Sequence, residues 1–203
     1  MTKISAIFWD IGGVLLTNAW DGSQRASALT KFNLDPVEFG DRHEMVVSSW
    51  ERGKISFDEY LDRTVFYRER GFRRETFKDY IYSLSQPHGE ALEIARALAR
   101  SGRYLMGTIN NESRDLNAYR ITTFGLQEIF TLFVSSCYVG FRKPEEAIYR
   151  MALEIAQRTP EECCFVDDRA LNIETAQVLG MHGIRMSDPT QLRDQLKELG
   201  VEV

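Results

Sequence analysis

The stretch AIFWDIGGVLL, residues Ala6–Leu16, decides the expected fold of this chain. An apolar run of strand length leads to a single carboxylate, Asp10, and two glycines follow at Gly12 and Gly13. Short apolar runs bounded by glycine are typical of buried strands in a parallel sheet. Ligands of such sheets bind at the carboxyl ends of the strands, so Asp10 is a candidate functional residue.

The overall composition predicts an ordinary globular protein. Of 203 residues, 43% are hydrophobic and 27% are charged, which is the usual balance for a folded domain. The net charge of −5 disfavours binding of a nucleic-acid backbone through a basic patch. Apolar runs are too short to cross a bilayer, and no secretory signal is recognisable. We therefore expect neither a nucleic-acid partner nor membrane association.

The cysteines indicate a reducing environment. Cys137, Cys163 and Cys164 give an odd count and no spacing typical of a metal site. Neighbouring cysteines on a strand point to opposite faces, so they do not readily share one metal ion. We expect buried, reduced thiols and a cytoplasmic location.

The segment that follows the first strand predicts a helical insertion. From residue 22 to about residue 85, apolar side chains recur at helical spacing without a strand-like run. Ser56 and Glu59 form a capping box, and we expect the helix that they start to end at Gly71. About four short helices are expected here.

After Pro87 the pattern alternates between strands and helices. The strand-like runs are RYLMGTI, TLFVSS, CCFVDD and GIRM, and helical segments separate them. Such alternation indicates right-handed βαβ units and a mostly parallel sheet. We predict an α/β fold with a Rossmann-like, doubly wound, three-layer core in residues 1–16 and 87–203. A small helical-bundle cap, residues 17–86, is inserted into it.

Polar residues follow each of the first four predicted strands. They are Asp10 after the first, Thr108, Asn110 and Asn111 at the second, Arg142 and Lys143 after the third, and Asp167 and Asp168 at the fourth. Carboxylates that converge in one cleft repel each other unless a cation lies between them. Mg²⁺ suits such a set, because it takes a few carboxylates together with waters and phosphate oxygens. A lysine supplies a point charge for phosphate, and an aspartate can attack phosphorus as a nucleophile. Asp167 and Asp168 are alternatively explained as caps of the next helix.

These motifs resemble those of the haloacid dehalogenase superfamily of aspartate-nucleophile hydrolases. FWDIGGVL, TINNES, RKPEEAIY and FVDDRALNIETA match its four motifs in order, over the whole chain. The cap resembles the helical C1 type, and the first motif is most similar to the branch that contains sugar-phosphate phosphatases.

The resemblance implies a role for each matched residue. Asp10 and Lys143 are the expected catalytic residues, and Thr108, Asn110, Asn111 and the backbone of Gly12 are the expected phosphate-binding groups. Mg²⁺ is expected on the Asp10 carboxylate, the Gly12 carbonyl and Asp168. Asp167 and Asn172 are expected to act on the metal through water or by orienting its ligands.

Two positions depart from the superfamily pattern. Gly12 stands where most of its phosphatases carry an aspartate that protonates the leaving group and later activates water. Loss of a general acid/base costs about 10²–10⁴ in rate, so we expect substrates with good leaving groups. Ile109 stands where a Ser or Thr is expected. Thr108 lies one residue earlier and cannot substitute without a local bulge, because strand side chains alternate.

The expected function is therefore a Mg²⁺-dependent phosphatase that acts on a small phosphorylated metabolite, such as a sugar phosphate, through an aspartyl phosphate on Asp10. Two alternatives remain open. A carbon–halogen hydrolase of the same superfamily also lacks the second aspartate, but it needs no metal. A catalytically idle relative would bind a phosphorylated metabolite or a protein partner.

Overall fold

The core of the protein is a five-stranded sheet in which every pairing is parallel. A computed structural model describes residues 3–203. The strands are β1 (Ala6–Trp9), β2 (Leu105–Asn110), β3 (Leu132–Ser135), β4 (Cys163–Asp167) and β5 (His182–Arg185), in the order β3-β2-β1-β4-β5. β1 is thus the central strand, and its carboxyl end lies between those of β2 and β4. The predicted Rossmann-like α/β core is confirmed.

Helices cover both faces of this sheet. In chain order the helices are α1 (Gly22–Lys31), α2 (Pro36–Glu51), α3 (Phe57–Thr64), α4 (Arg74–Ser83), α5 (Gly89–Ser101), α6 (Arg114–Thr123), α7 (Ser136–Val139), α8 (Glu146–Ala156), α9 (Ala170–Val178) and α10 (Pro189–Glu198). Side chains of α5 and α10 pack on one face, and those of α8 and α9 pack on the other. This arrangement is the three-layer architecture predicted from the alternating pattern.

The continuous apolar run of β1 follows from this burial on two faces. Ile7 and Trp9 belong to one core cluster, Ala6 and Phe8 belong to the other, and all four are fully buried. A strand covered on both sides needs apolar residues at every position rather than at alternate ones. Each large side chain buried in this way contributes about 1.5–3 kcal/mol, so β1 anchors the residue that follows it.

The two neighbouring cysteines of β4 lie on opposite faces of the sheet, as expected. Cys163 belongs to the cluster beneath α8 and α9, and Cys164 belongs to the cluster beneath α5 and α10. Both are buried free thiols, as is Cys137. Among residues 3–203, no helix has the length and apolar content needed to cross a membrane.

The first four helices form a separate lobe with an aromatic core. Trp50 of α2 stacks on Tyr60 of α3, with ring centroids 4.0 Å apart. The predicted capping box is present: Ser56 and Glu59 exchange hydrogen bonds at the start of α3. The expected end of this helix at Gly71 is wrong, because α3 ends at Thr64.

The amide groups that follow α3 explain its early end. The amides of Val65 and Phe66 both donate to the carbonyl of Leu61, at 2.8 Å each. This sharing closes the last turn, so the chain leaves the helical path seven residues before the glycine. This local turn ends the helix before the glycine is reached.

Two adjacent segments connect the helical lobe to the core. The amide of Thr17 donates to the carbonyl of Gln86 at 2.8 Å, and Leu16 pairs with Pro87 in an antiparallel bridge. All four helices of the lobe lie between these crossings. The lobe, called the cap below, therefore leaves and re-enters the core next to the carboxyl end of β1.

Candidate active site

The centre of the site is a buried lysine between two carboxylates. Lys143 Nζ lies 2.8 Å from Asp10 Oδ2 and 2.6 Å from Asp167 Oδ2. Asp10 is 8%, Lys143 4% and Asp167 0% exposed. Asp10 directly follows β1, Asp167 ends β4, and Lys143 lies in the loop before α8. The sheet order therefore brings together three residues that are far apart in sequence.

These charges perturb one another's protonation. Burial raises the pKa of Asp10 to about 7, against the opposing effect of Lys143. Burial by itself would lower the pKa of Lys143, but the carboxylates of Asp10 and Asp167 raise it above its usual value. The lysine is thus held as a cation beside the candidate nucleophile, where a phosphate group needs positive charge.

Asp167 is fully committed to protein partners. Its Oδ1 accepts from the amide of Arg169 at 2.8 Å, and both oxygens accept from Asn172 Nδ2 at 3.0 Å. Its Oδ2 also takes the lysine. Asp167 is therefore placed to orient the lysine and the loop after β4.

Asp168 differs from Asp167 in having an unsatisfied oxygen. Its Oδ1 is buried without a hydrogen-bond partner among the described residues, and Oδ2 has only a long contact of 3.5 Å with Asn18 Nδ2. Burial and the neighbouring Asp167 raise the pKa of this carboxyl. One oxygen each from Asp10, Asp167 and Asp168 lie within 4.8 Å of one another. An orphaned oxygen in a cluster of three acids fits a hard divalent cation such as Mg²⁺.

Gly13 permits the close approach of Asp168 to the loop after β1. Its φ is +78°, in the left-handed region, and a Cβ there would lie 2.3 Å from Asp168 Oδ2. Both the backbone conformation and the available space therefore require glycine. The second glycine of the opening motif is thus needed to build the acidic cluster.

A cavity of about 540 Å³ lies between the carboxyl ends of the strands and the cap. Asp10, Gly12, Asn111, Lys143 and Asn172 line it from the core. From the cap it is lined by Trp20, Arg25, His43, Trp50 and Glu51, among others. This size suits a small metabolite.

Cap residues give this cavity a mixed surface of rings and charges. His43 Nδ1 lies 2.7 Å from the hydroxyl of Tyr60, and burial lowers the pKa of His43 to about 4, so its ring is neutral. Arg142 Nη2 lies 2.5 Å from Glu51 Oε2, and this ion pair joins a core loop to the cap.

Only some of the expected phosphate-binding residues reach the cavity: Gly12 and Asn111 line it, but Asn110 and Thr108 do not. Asn111 lines the cavity, but its side chain is bonded to the backbone of Lys143, with Oδ1 accepting from the amide at 2.8 Å. Asn110 turns inward, donating to Asn117 at 3.0 Å and accepting from Ser135 at 2.9 Å. Thr108 is fully buried within β2 and is not part of the cavity wall. Thr108 was expected to bind phosphate, but β2 runs without a bulge here, so its hydroxyl does not reach the cavity.

The space beside Gly12 contains groups that the motifs did not predict. A Cβ at residue 12 would lie 2.7 Å from Asn18 Oδ1 and 3.3 Å from Arg120 Nη1. Arg120 in turn pairs with Glu112 at 3.0 Å, and both line the cavity. Glu112 directly follows the Asn pair at the end of β2, so its strand-end position was the available signal. Asn18 and Arg120, in the crossing segment and in α6, carried no such signal.

The arrangement is suited to attack on phosphorus. A carboxylate in a closed site, a fixed ammonium group and a carboxylate cluster that fits a divalent cation stabilise charge that develops during transfer. When bound, the cation supplies positive charge to the phosphate oxygens. Asp10 Oδ2 and Lys143 Nζ lie side by side in the cavity wall, where a nucleophile and an anion-binding group would be needed.

Comparisons with known proteins place this chain in a family. The haloacid dehalogenase-like hydrolase family matches residues 4–180. Flavin mononucleotide hydrolase 1 of Arabidopsis thaliana is 28% identical over 80% of this chain and 65% of its own length. A sesquiterpene phosphatase of Aspergillus oryzae is 25% identical over 98% of this chain and 97% of its own. The chain spans between 20% and 40% of three mammalian bifunctional epoxide hydrolases.

A solved structure shares the whole architecture. The magnesium complex of a haloacid dehalogenase family enzyme from Bacteroides thetaiotaomicron superposes with a TM-score of 0.78. The match covers 91% of this chain and 94% of that one at 20% identity, so it shows the fold alone. Since the family model matches most of the chain, this protein belongs to the haloacid dehalogenase-like hydrolases and is an enzyme of that family.

Proposed function

We propose that this enzyme is a Mg²⁺-dependent phosphatase that hydrolyses a small phosphorylated metabolite through an aspartyl phosphate on Asp10. The observation that carries the proposal is the pair of Asp10 and Lys143, buried at the floor of a capped cavity, with the half-buried Asp168 close to Asp10. Phosphatase and hydrolase activities named for the plant and fungal relatives support it. The free, buried cysteines favour action in the cytoplasm.

Each residue has a distinct part in the proposed reaction. Asp10 attacks the phosphorus, and the bond from phosphorus to the leaving oxygen breaks. Lys143 balances negative charge on the transferring group, while Asp167 keeps the lysine in place. Asp10 and Asp168, with the carbonyl of Gly12, would hold Mg²⁺. Asn111 fixes the loop that carries Lys143.

The first test is hydrolysis of 4-nitrophenyl phosphate with Mg²⁺ and with a chelator. We expect activity that requires both the metal and Asp10, so Asp10→Asn should be inactive. Asp194→Asn, an exposed change on α10, is the matched control and should retain activity. A wild-type enzyme without phosphatase activity, or with activity that survives Asp10→Asn, would contradict the proposal.

The leaving group is a finer part of the same proposal. Because residue 12 is a glycine, we propose that aryl, acyl or anomeric sugar phosphates are preferred over primary alkyl phosphates. Comparison of kcat/KM for an anomeric and a primary phosphate of the same sugar tests it. Equal values would refute the preference.

Gly12 also favours a second candidate, a carbon–halogen hydrolase, since a halide leaves without a proton. The buried acid cluster argues for phosphate chemistry, because metal-free halide displacement has no use for three converging carboxylates. Halide release from a 2-haloacid in the presence of a chelator would favour the carbon–halogen hydrolase over the phosphatase.

A further inference from the structure

The proposed reaction leaves one chemical need unmet by the motif residues. An aspartyl phosphate must be hydrolysed, and attack of water on it is accelerated by a group that accepts the water's proton. Residue 12 carries no side chain for this task. The base must therefore come from elsewhere in the cavity wall.

The structure places an ion pair beside the vacant position. Arg120 Nη1 lies 3.3 Å from where a Cβ of residue 12 would be, and it also lies 3.0 Å from Glu112 Oε2. Glu112 and Arg120 line the same cavity as Asp10, and both are more than nine-tenths buried. Any side chain at residue 12 would therefore begin beside Arg120 and Asn18.

The arginine is held in place from three sides. Its Nε donates to Ser85 Oγ at 3.1 Å, and Nη2 donates to the carbonyl of Thr17. Thr17 and Ser85 lie in the two crossings between cap and core. Arg120 therefore presents Glu112 in a fixed orientation when the cap is seated on the core.

Of this pair, only the carboxylate can exchange a proton near neutral pH. A guanidinium stays protonated in proteins, so Arg120 cannot act as a base. Burial raises the pKa of Glu112 to about 7, against the effect of Arg120, and a base works best when its pKa lies near the working pH. Glu51 also lines the cavity, but Arg142 pairs with it on the cap side.

We propose that Glu112 is the general base of the second half of the reaction, in place of an acidic residue at position 12. The inference rests on the proposed phosphatase function. The oxygen of a water molecule attacks the phosphorus of the aspartyl phosphate, and the bond between phosphorus and the Asp10 oxygen breaks. Its electron pair returns to the Asp10 carboxylate, and the water's proton moves to Glu112. Inorganic phosphate leaves, and Glu112 returns the proton to solvent.

Pre-steady-state release of 4-nitrophenol in the presence of Mg²⁺ tests this role. For Glu112→Gln we expect the first release, about one equivalent per site, at the wild-type rate, because 4-nitrophenolate leaves without a proton. The steady-state rate should fall by about 10²–10⁴-fold, because the aspartyl phosphate accumulates. Glu112→Asp keeps the carboxylate and should recover part of the steady-state rate. Glu51→Gln should show no such separation of the two phases.

The possible outcomes separate the two proposals. A wild-type enzyme inactive on 4-nitrophenyl phosphate contradicts the phosphatase function and the role of Glu112 with it. If the wild type is active and depends on Asp10, an unchanged steady state in Glu112→Gln overturns the role of Glu112 alone. If Glu112→Gln also slows the first release of 4-nitrophenol, the role of Glu112 is overturned as well, because that release precedes the attack of water. If Glu112→Gln fails to fold, the same comparison of phases in Glu112→Asp decides.

Discussion

At the residue scale, the site depends on a cation that the protein buries among acids. Lys143 contacts both Asp10 and Asp167 in a region with almost no exposed surface. Taking such charges out of water is costly, and the pairing offsets that cost. The lysine therefore stabilises the folded state as well as serving the proposed chemistry.

Replacing this lysine tests both contributions. We expect Lys143→Met to lower the free energy of unfolding by about 3–5 kcal/mol, because two buried carboxylates lose their partner. Mg²⁺ should stabilise the variant more than it stabilises the wild type, since the ion restores positive charge. Urea unfolding with and without Mg²⁺ measures both effects.

A surface lysine provides the control for this experiment. Lys197 pairs with Asp194 on α10 with about half of its side chain exposed, so Lys197→Met should cost less than about 1 kcal/mol. Similar losses of unfolding free energy for the two variants would show that the buried pairing of Lys143 adds no special stability.

Two glycines with the same backbone conformation differ in what surrounds them. Gly13 and Gly102 both have positive φ, +78° and +64°, but only Gly13 faces a side chain that a Cβ would meet. We expect Gly102→Ala to cost about 1–2 kcal/mol from backbone strain alone. Gly13→Ala should cost more and should weaken Mg²⁺ binding, because it displaces Asp168. Thermal unfolding and Mg²⁺ titration of both variants would reveal the difference, and equal Mg²⁺ affinities would contradict it.

At the element scale, helix beginnings were easier to predict than helix ends. The capping box of Ser56 and Glu59 lies within four consecutive residues, so the local sequence specifies it fully. The cap of α10 is similarly local, with Asp188 accepting from the amide of Thr190 and Pro189 between them. The end of α3 instead depends on how residues 65 and 66 turn back over Leu61, and the distant Gly71 plays no part.

The capping box can be tested with a single substitution. Ser56→Ala should lower the free energy of unfolding by about 1 kcal/mol, because the amide of Glu59 loses its acceptor. For a chain of this length that loss lowers Tm by about 2–4 °C. Ser27→Ala, on the exposed face of α1, should leave Tm nearly unchanged. A Tm for Ser56→Ala equal to that of Ser27→Ala would show that the box contributes no stability.

At the scale of the whole molecule, the cap contacts the core through α6, where Tyr82 stacks on Tyr119 with ring centroids 4.6 Å apart, and through polar contacts around the cavity. Arg52, which follows α2, donates to the carbonyl of Gly140 at 2.7 Å and pairs with Glu145. The hydroxyl of Ser136 donates to the carbonyl of Glu51 at 2.6 Å. The segments at residues 16–21 and 84–89, which connect the lobes, are the expected hinge. Polar contacts of this kind allow a cap to open for substrate entry and product release.

Removing Arg52 should favour the open cap. The ion pair is partly exposed, so Arg52→Ala should weaken closure by about 1 kcal/mol, which lowers the ratio of closed to open molecules roughly fivefold. We expect a higher KM and faster proteolysis within the hinge segments, with substrate restoring protection. Arg96→Ala, on the solvent-facing side of α5, is the control. Identical cleavage of both variants, with and without substrate, would contradict a mobile cap.

The sequence by itself determined the layout of this protein: the central apolar strand, the strand-end positions of Asp10, Lys143, Asp167 and Asp168, and the helical insertion. These features follow from periodicity and short motifs, which involve residues close together in the chain. Only the tertiary structure decided which side chains reach the cavity. It turned Asn110 inward toward Asn117 and Ser135, and it brought Thr17, Ser85 and Glu112 to Arg120. Those contacts join residues up to 103 positions apart, so they arise from the packing of α6 against the sheet and against the two crossing segments, and not from any local pattern.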